Sequence, residues 1–190
     1  RLEGYDPDQE VELHPFDRWL LSRLTETIQK ATAGMKQYEY SVCVREAETF
    51  FWKALCDNYL EIAKGRLYGE DPKAKAAAQH TLYTALYAAV RLFAPVMVHI
   101  TEELYQEVFK PLESHESVHI APWPTNDYMD PEALELGNRA LLVIEEARRW
   151  KSENSLSMAT EMESIDAPKE LKPFESDLKA VTRAKTINFS

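Results

Sequence analysis

The apolar residues of this chain recur mainly at the three- and four-residue spacing of amphipathic helices. Pro15 suits a first helical turn, because its missing N–H would have no partner there, and a helix is predicted from this residue to about Gln37. Its inward face is expected to carry Phe16, Trp19, Leu20, Leu24, Thr27, Ile28 and Ala31. The outer face is expected to carry Arg18, Ser22, Glu26 and Lys30.

Three more helices are predicted before residue 111. Ser41 is expected to cap the second, which runs to about Lys64 with an inward stripe of Val44, Ala47, Phe51, Ala54 or Leu55, Asn58 and Ile62. Asp71 and Pro72 open a third, alanine-rich helix that Pro95 stops. Thr101 is expected to cap a short fourth helix that ends before Pro111.

The later part of the chain has a different pattern. The proline-rich residues 111–130 are typical of a connector, with one brief extended piece at 117–120. A fifth helix is predicted from Pro131 to about Ser152. Alternation around 161–166 indicates a strand, Pro173 is expected to open a short helix through Val181, and 185–189 indicates a final strand.

These elements predict a mainly α protein: a helical bundle followed by a small α/β subdomain. The expected organisation is a lead-in at 1–13, the bundle at 14–110, a connector at 111–130 and the α/β subdomain at 131–190. A chain of 190 residues is long enough for one substantial core with a smaller unit beside it.

Charge and composition restrict the partners that can be expected. The net charge of −10 argues against a general polyanion-binding surface, so any RNA affinity should come from a local patch and weaken quickly with salt. No secretory signal is visible, and no run of about 18 apolar residues indicates a membrane span. Cys43 and Cys56 would lie about 20 Å apart on one helix, too far for a disulfide. A reducing, cytoplasmic location is therefore expected.

Signals for catalysis are missing from the sequence. It has no glycine-rich phosphate loop, no G-x-S-x-G motif and no metal-ligand spacing. His115 and His119 are four residues apart, but the residues around them indicate a loop or strand rather than a metal-binding helix. Glu102 and Glu103 fit a helix start, which favours negative charge. We therefore expect no catalytic residue, metal or cofactor within this chain.

Aromatic and basic residues give candidate RNA contacts. Aromatic rings beside cations at a bundle end can stack on unpaired bases, which singles out Lys36, Tyr38, Tyr40 and Arg45. The alternative is that both rings hold the helix ends onto the core. The densest basic cluster comprises Arg148, Arg149 and Lys151, as an RNA backbone contact or as a solvated helix face. Lys64 and Arg66 with Tyr68 form a weaker third candidate.

Several segments resemble class I aminoacyl-tRNA synthetases for valine, isoleucine and leucine. Residues 14–24 are similar to the helix D-R/K-W-I/L-L-S-R/K-L, and Tyr38-Glu39-Tyr40 matches the Y-E/D-F/Y that follows it. Residues 51–61 resemble the valyl pattern W-x-x-F/L-C-D-x-Y-I/L-E. Residues 94–105 and 117–124 resemble two later segments, the second ending in W-P. Together the five segments cover about 14–155 in the family's order, and the chain is most like the valyl members.

The resemblance implies an anticodon-binding region that holds the anticodon arm of tRNA. The parent enzyme would ligate an amino acid to that tRNA with ATP and magnesium, in a catalytic domain of the same chain. The H-I-G-H and K-M-S-K-S motifs of that domain are absent here. The family's opening helix K-x-W-N-A-x-R-F/Y is also absent, so weak tRNA binding by this part alone is expected.

Two alternatives remain open from the sequence. The first keeps the family and changes the amino acid to isoleucine or leucine. The second is a helical protein-interaction module without RNA binding. Ala94 stands where the family usually has histidine, and His99 where an aromatic residue is common.

Overall fold

The computed structural model of the protein describes residues 4–190, so residues 1–3 of the expected lead-in lie outside the described residues. The described residues form mainly helices. The helices are α1 (Pro15–Lys36), α2 (Tyr40–Thr49), α3 (Leu60–Leu67), α4 (Pro72–Phe93), α5 (Val98–Leu104), α6 (Pro131–Glu153) and α7 (Glu175–Thr182). A π-helical segment, Phe50–Tyr59, joins α2 to α3, and another, Tyr105–Phe109, extends α5. Short 3-10 helices lie at Val118–Ile120 and Lys169–Phe174. Strands β1 (Met162–Ala167) and β2 (Ala184–Phe189) form a parallel pair.

The predicted fold class is confirmed, as are most helix starts. Pro15, Pro72 and Pro131 each occupy a first helical turn. Asp71 caps α4 by accepting from Lys73 N at 2.9 Å, and Asp130 caps α6 by accepting from Ala133 N at 2.9 Å. None of the described helices has the length and apolar character needed to cross a membrane.

Three local predictions were wrong, and hydrogen bonding explains two of them. Ser41 is not a cap, because α2 already begins at Tyr40. Thr101 lies inside α5, where its hydroxyl donates to Met97 O at 2.9 Å. The segment at 117–120 is a 3-10 turn instead of an extended piece, since the Ser117 hydroxyl accepts from His119 N at 3.1 Å and closes the turn.

The π-helical segment between α2 and α3 changes which residues face the core. Its i→i+5 hydrogen bonds widen the turn, so the three- and four-residue repeat read from the sequence no longer holds there. Phe50 and Tyr59 are buried at 3% and 0% exposure. Phe51 and Asn58, expected inside, are only partly buried.

One apolar core joins α1, α4, α6, the continuous helix formed by α2, the π-helical segment and α3, and the α/β end, which is residues 162–189. Trp19 from α1 packs on Gly137 of α6, where an added Cβ would lie 2.4 Å from the ring, so only glycine permits this approach. The indole N–H donates to Asn138 at 2.9 Å. Ser22, expected on the outer face of α1, is fully buried and accepts from Asp130 N at 3.0 Å.

Hydrogen bonds hold the later part of the segment 111–130 against α1. Trp123 donates its indole N–H to Thr32 at 2.9 Å, and the Asn126 amide donates to Leu21 O at 2.8 Å. The Thr25 hydroxyl donates to Tyr128 O at 2.6 Å. The division of the chain near 110 and 131 stays a prediction, and α6 contributes to the same core as the helices before it.

A buried charge cluster connects α1, α3 and α7. The carboxylate of Asp17 has no exposed surface. It accepts hydrogen bonds from both terminal nitrogens of Arg66, at 2.8 and 2.9 Å. It also accepts the Tyr59 hydroxyl at 2.6 Å and the His14 backbone N–H at 2.9 Å. The Arg66 Nε forms an ion pair with Asp177 at 3.2 Å, without the alignment of a hydrogen bond. The bundle and the α/β end therefore share one guanidinium.

The electrostatics of the cluster keep Arg66 charged. Burial lowers the pKa of Arg66, but its hydrogen bonds with Asp17 and the charge of Asp17 raise that pKa by more. Burial raises the pKa of Asp177, and the charge of Arg66 opposes this only in part. Burial and the neighbouring Asp17 also raise the pKa of Tyr59 well above its usual value, so Tyr59 stays a donor. Within residues 4–190, Arg66 is the one cation that forms an ion pair with either of these buried carboxylates.

The substitution Arg66→Met should lower the free energy of unfolding by about 3–5 kcal/mol, because it leaves two buried carboxylates without a cation. Urea unfolding followed by circular dichroism measures the loss. Lys53→Met is the matched control: it breaks the exposed pair with Asp57 at 3.1 Å and should cost less than about 1 kcal/mol. Equal losses in the two variants would show that the cluster does not hold the fold together.

Candidate nucleic-acid interface

The turn between α1 and α2 presents two tyrosine rings at one end of the bundle. Gly34 allows the turn to be tight, since a Cβ there would lie 3.1 Å from Glu39 O. Glu39 N donates to Gly34 O at 2.8 Å, and Tyr38 adopts the left-handed region with φ 60°. These constraints direct the Tyr38 side chain outward.

Both rings of this tyrosine tip, formed by Lys36, Tyr38, Tyr40 and Arg45, are accessible. Tyr38 is 79% exposed and Tyr40 52% exposed, and the rings stand edge to face with centroids 6.4 Å apart. Lys36 and Arg45 are exposed as well, with Arg45 Nε 3.7 Å from Glu46. The interpretation that both rings hold the helix ends onto the core does not fit such exposure. The arrangement leaves aromatic faces for stacking and cations for phosphates.

A second surface is an open groove of about 770 Å³ between α3, α6 and α7. Its basic residues are Lys64, Arg148, Lys151 and Arg183, and we call it the basic groove. The sequence prediction grouped Arg148 with Arg149 and Lys151 on one helix. The fold instead places Arg148 in one groove with Arg183, from the end of α7, and Lys64, from α3.

The acidic residues of the basic groove are already paired. Asp57 accepts from Lys53 at 3.1 Å and Glu61 from Lys64 at 2.6 Å. Arg148 donates to the neutral Asn58 amide oxygen at 3.2 Å. Within residues 4–190, no ion pair with a carboxylate is found for Arg148 or Arg183. This leaves uncompensated positive charge on a chain whose net charge is −10.

Lys151, proposed from the sequence as an RNA contact, lies at the floor of the groove with 2% exposure. Its ammonium donates to Met158 O at 3.0 Å and Thr182 O at 2.8 Å. Burial and the nearby Arg183 lower its pKa. Because this charge serves internal carbonyl groups, the expectation of a surface contact at Lys151 is corrected. The weaker candidate Arg66 is excluded in the same way by its buried position between Asp17 and Asp177.

The remaining sequence candidates are on the surface, and the structure adds two residues. Arg149 and Tyr68 are exposed. Trp52 is 59% exposed, its ring 5.1 Å from that of Phe51. Arg183 was missed because no helical periodicity marks it: it follows α7 in the left-handed region with φ 58°. Only the folding of α7 back onto α6 brings it to the groove.

Comparison with known proteins assigns the chain to a family. The family described as the anticodon-binding domain of tRNA ligase matches residues 17–167, most of the chain. This chain belongs to that family. The match includes Asp17 and Trp19 of α1, the tyrosine tip and the whole of α6. The resemblance inferred from the sequence is thereby confirmed.

Similar proteins indicate which ligases carry comparable domains. The domain is 37% identical over 181 residues to the valine–tRNA ligase of Pyrococcus horikoshii, covering 92% of this chain and 20% of that protein. It is 39% identical over 185 residues to that of Thermococcus kodakarensis, with coverages of 93% and 21%. It is 36% identical over 181 residues to the valine–tRNA ligase of Rickettsia conorii, which covers 92% of this chain and 22% of that protein. The chain therefore spans about a fifth of the length of these relatives.

The internal role of Lys151 makes a stability prediction. Lys151→Met should lower the free energy of unfolding by about 1–3 kcal/mol, because two carbonyl groups lose their donor. Thermal and urea unfolding measure the difference. Arg149→Met is the control two residues away, and as an exposed substitution it should stay within about 0.5 kcal/mol of the unchanged protein. A Lys151 variant as stable as the Arg149 variant would return Lys151 to the surface candidates.

Proposed function

We propose that this domain binds the anticodon arm of tRNA as part of a valyl-tRNA synthetase. The observation that carries the proposal is the exposed, mutually perpendicular pair Tyr38 and Tyr40, flanked by Lys36 and Arg45, in a member of the anticodon-binding family. Unpaired anticodon bases expose ring faces that aromatic side chains can cover. The fragment itself would bind and position RNA without making or breaking bonds.

In the proposed complex the two surfaces have different tasks. The tyrosine tip would stack on splayed bases, which tolerates different sequences because every base has a π face. The basic groove, with Arg148 and Arg183, would hold phosphates of the arm, and Arg149 adds positive charge on the exposed side of α6. Phosphate contacts fix orientation while base contacts supply specificity. The acidic body limits binding to these surfaces.

The proposal extends to the parent protein by way of its relatives. Valine as the amino acid is supported by the valine–tRNA ligases that match about nine tenths of this chain at 36–39% identity. Such a parent would use ATP and magnesium in its catalytic domain, which is the intramolecular partner of this domain, and would work in the cytoplasm.

The amino acid specificity is tested by aminoacylation assays of the full-length protein with valine, isoleucine and leucine. Charging with isoleucine or leucine alone would overturn the proposal of valine.

Removing the outer ring of the tip should weaken tRNA binding. Tyr38→Ala in the full-length protein is expected to cost about 1–3 kcal/mol of binding free energy if one base stacks on this ring. Fluorescence anisotropy with labelled tRNA at fixed salt measures the affinity. Tyr38→Phe is the matched control, because it keeps the ring and removes only the hydroxyl.

The two tip variants separate the competing interpretations. Weaker binding with alanine and unchanged binding with phenylalanine supports stacking. Unchanged binding in Tyr38→Ala removes the tip from the interface. A full-length protein that shows no salt-sensitive tRNA binding at all would favour the protein-interaction module instead.

The basic groove makes a separate prediction about salt dependence. The double variant Arg148→Gln, Arg183→Gln should bind tRNA more weakly and lower the slope of log affinity against log salt by about one for each phosphate that is no longer neutralised. Lys169→Gln, Lys172→Gln is the control, since it removes the same charge from exposed positions outside the groove. Identical slopes in both double variants would show that only net charge matters.

A further inference from the structure

An exposed apolar face lies along α5 and its π-helical extension. It comprises Met97, Ile100, Leu104, Val108, Leu112 and Ile120, each between 40% and 66% exposed. Large apolar side chains grouped on one side of a helix, as opposed to scattered singly, are typical of an interaction site. The tRNA contacts proposed above do not use it.

The helix that presents this face is held rigidly from behind. Tyr105 and Phe109 are buried, and the Phe109 ring lies 5.1 Å from that of Tyr87 and 5.5 Å from that of Tyr83. Ile100, Leu104, Val108 and Leu112 recur every four residues on the exposed side. The face is therefore a preformed surface that needs no folding step to bind a partner.

The turn carrying Ile120 is fixed against the same helix. Glu102 accepts the Ser117 hydroxyl at 2.7 Å and the Val118 N–H at 3.1 Å. The His119 ring lies 3.2 Å from Val98 O. These contacts keep Ile120 beside α5, so that it widens the apolar face.

Charge argues against nucleic acid as the occupant. Residues 94–120 contain five glutamates and a single lysine, Lys110, whose ammonium donates to His115 O at 3.0 Å. An RNA backbone would be repelled here, whereas the uncompensated arginines of the basic groove would attract it. The complementary partner is an apolar protein surface bordered by basic side chains.

We infer that the apolar face of α5 docks the domain onto an apolar, basic-rimmed surface elsewhere in its own synthetase polypeptide. The domain spans about a fifth of the length of its relatives, so most of such a polypeptide lies outside it. A surface on the same chain is present at a high effective concentration, which favours it over a separate protein. The inference rests on the proposed function only in taking the parent to be a synthetase.

The inference is tested by chemical labelling of the full-length protein without tRNA. Ile100→Cys places a thiol on the face, and Leu142→Cys places one on α6, at positions 50% and 64% exposed in the domain. Maleimide labelling of each peptide is followed by mass spectrometry. If undocked states make up at most about a tenth of the population, labelling at residue 100 should be at least about tenfold slower than at residue 142.

The conditions of labelling distinguish the possible occupants. Protection at residue 100 that is independent of protein concentration and of tRNA supports intramolecular docking. Equal rates at the two positions overturn it. Protection that grows with protein concentration would assign the face to a second copy, and protection that needs tRNA would assign it to RNA; both overturn the inference. Because the readout involves no tRNA affinity, failure here leaves the proposed tRNA binding untouched.

Discussion

The structure depends on one buried guanidinium. Arg66 of α3 bonds Asp17 of α1 through two nitrogens and pairs with Asp177 of α7 through the third. A buried carboxylate without a cation is costly, so the three elements stay together or the cluster fails as a whole. Since Asp17 also accepts the Tyr59 hydroxyl and the His14 N–H, the same cluster fixes the start of α1 and the end of the π-helical segment.

This constraint places one of the two proposed RNA surfaces, the basic groove. Docking α7 against α3 brings Arg183 to the groove lined by Arg148, and the buried ammonium of Lys151 ties the end of α6 to the end of α7. The tyrosine tip lies at the opposite end of α1 from Asp17, at a turn that Gly34 makes possible. Recognition residues on a rigid scaffold lose little conformational freedom on binding, which fits a positioning role.

The sign of the surface charge differs from one region of the domain to another. Arg148 and Arg183, which have no carboxylate partner within residues 4–190, lie in the groove, and Lys36 and Arg45 lie at the tip, whereas glutamates surround the apolar face of α5. A net charge of −10 therefore does not describe any one surface. Nucleic acid would be steered to one part of the domain and kept from another, which leaves the apolar face available for protein contacts.

The sequence by itself determined the helical class, the proline-marked helix starts, both strands and the family, because periodicity, caps and motifs are local signals. It also placed Tyr38 and Tyr40 at the boundary between two helices, but it left open whether the rings face solvent or pack on the core. Only the tertiary structure decided that Lys151 and Arg66 are internal, that Ser22 and Tyr59 are buried, and that Arg183 joins Arg148. Local sequence patterns do not distinguish a charged residue that faces solvent from one that has a buried partner. What settles its role is which carboxylates and carbonyl groups the fold brings within hydrogen-bonding distance.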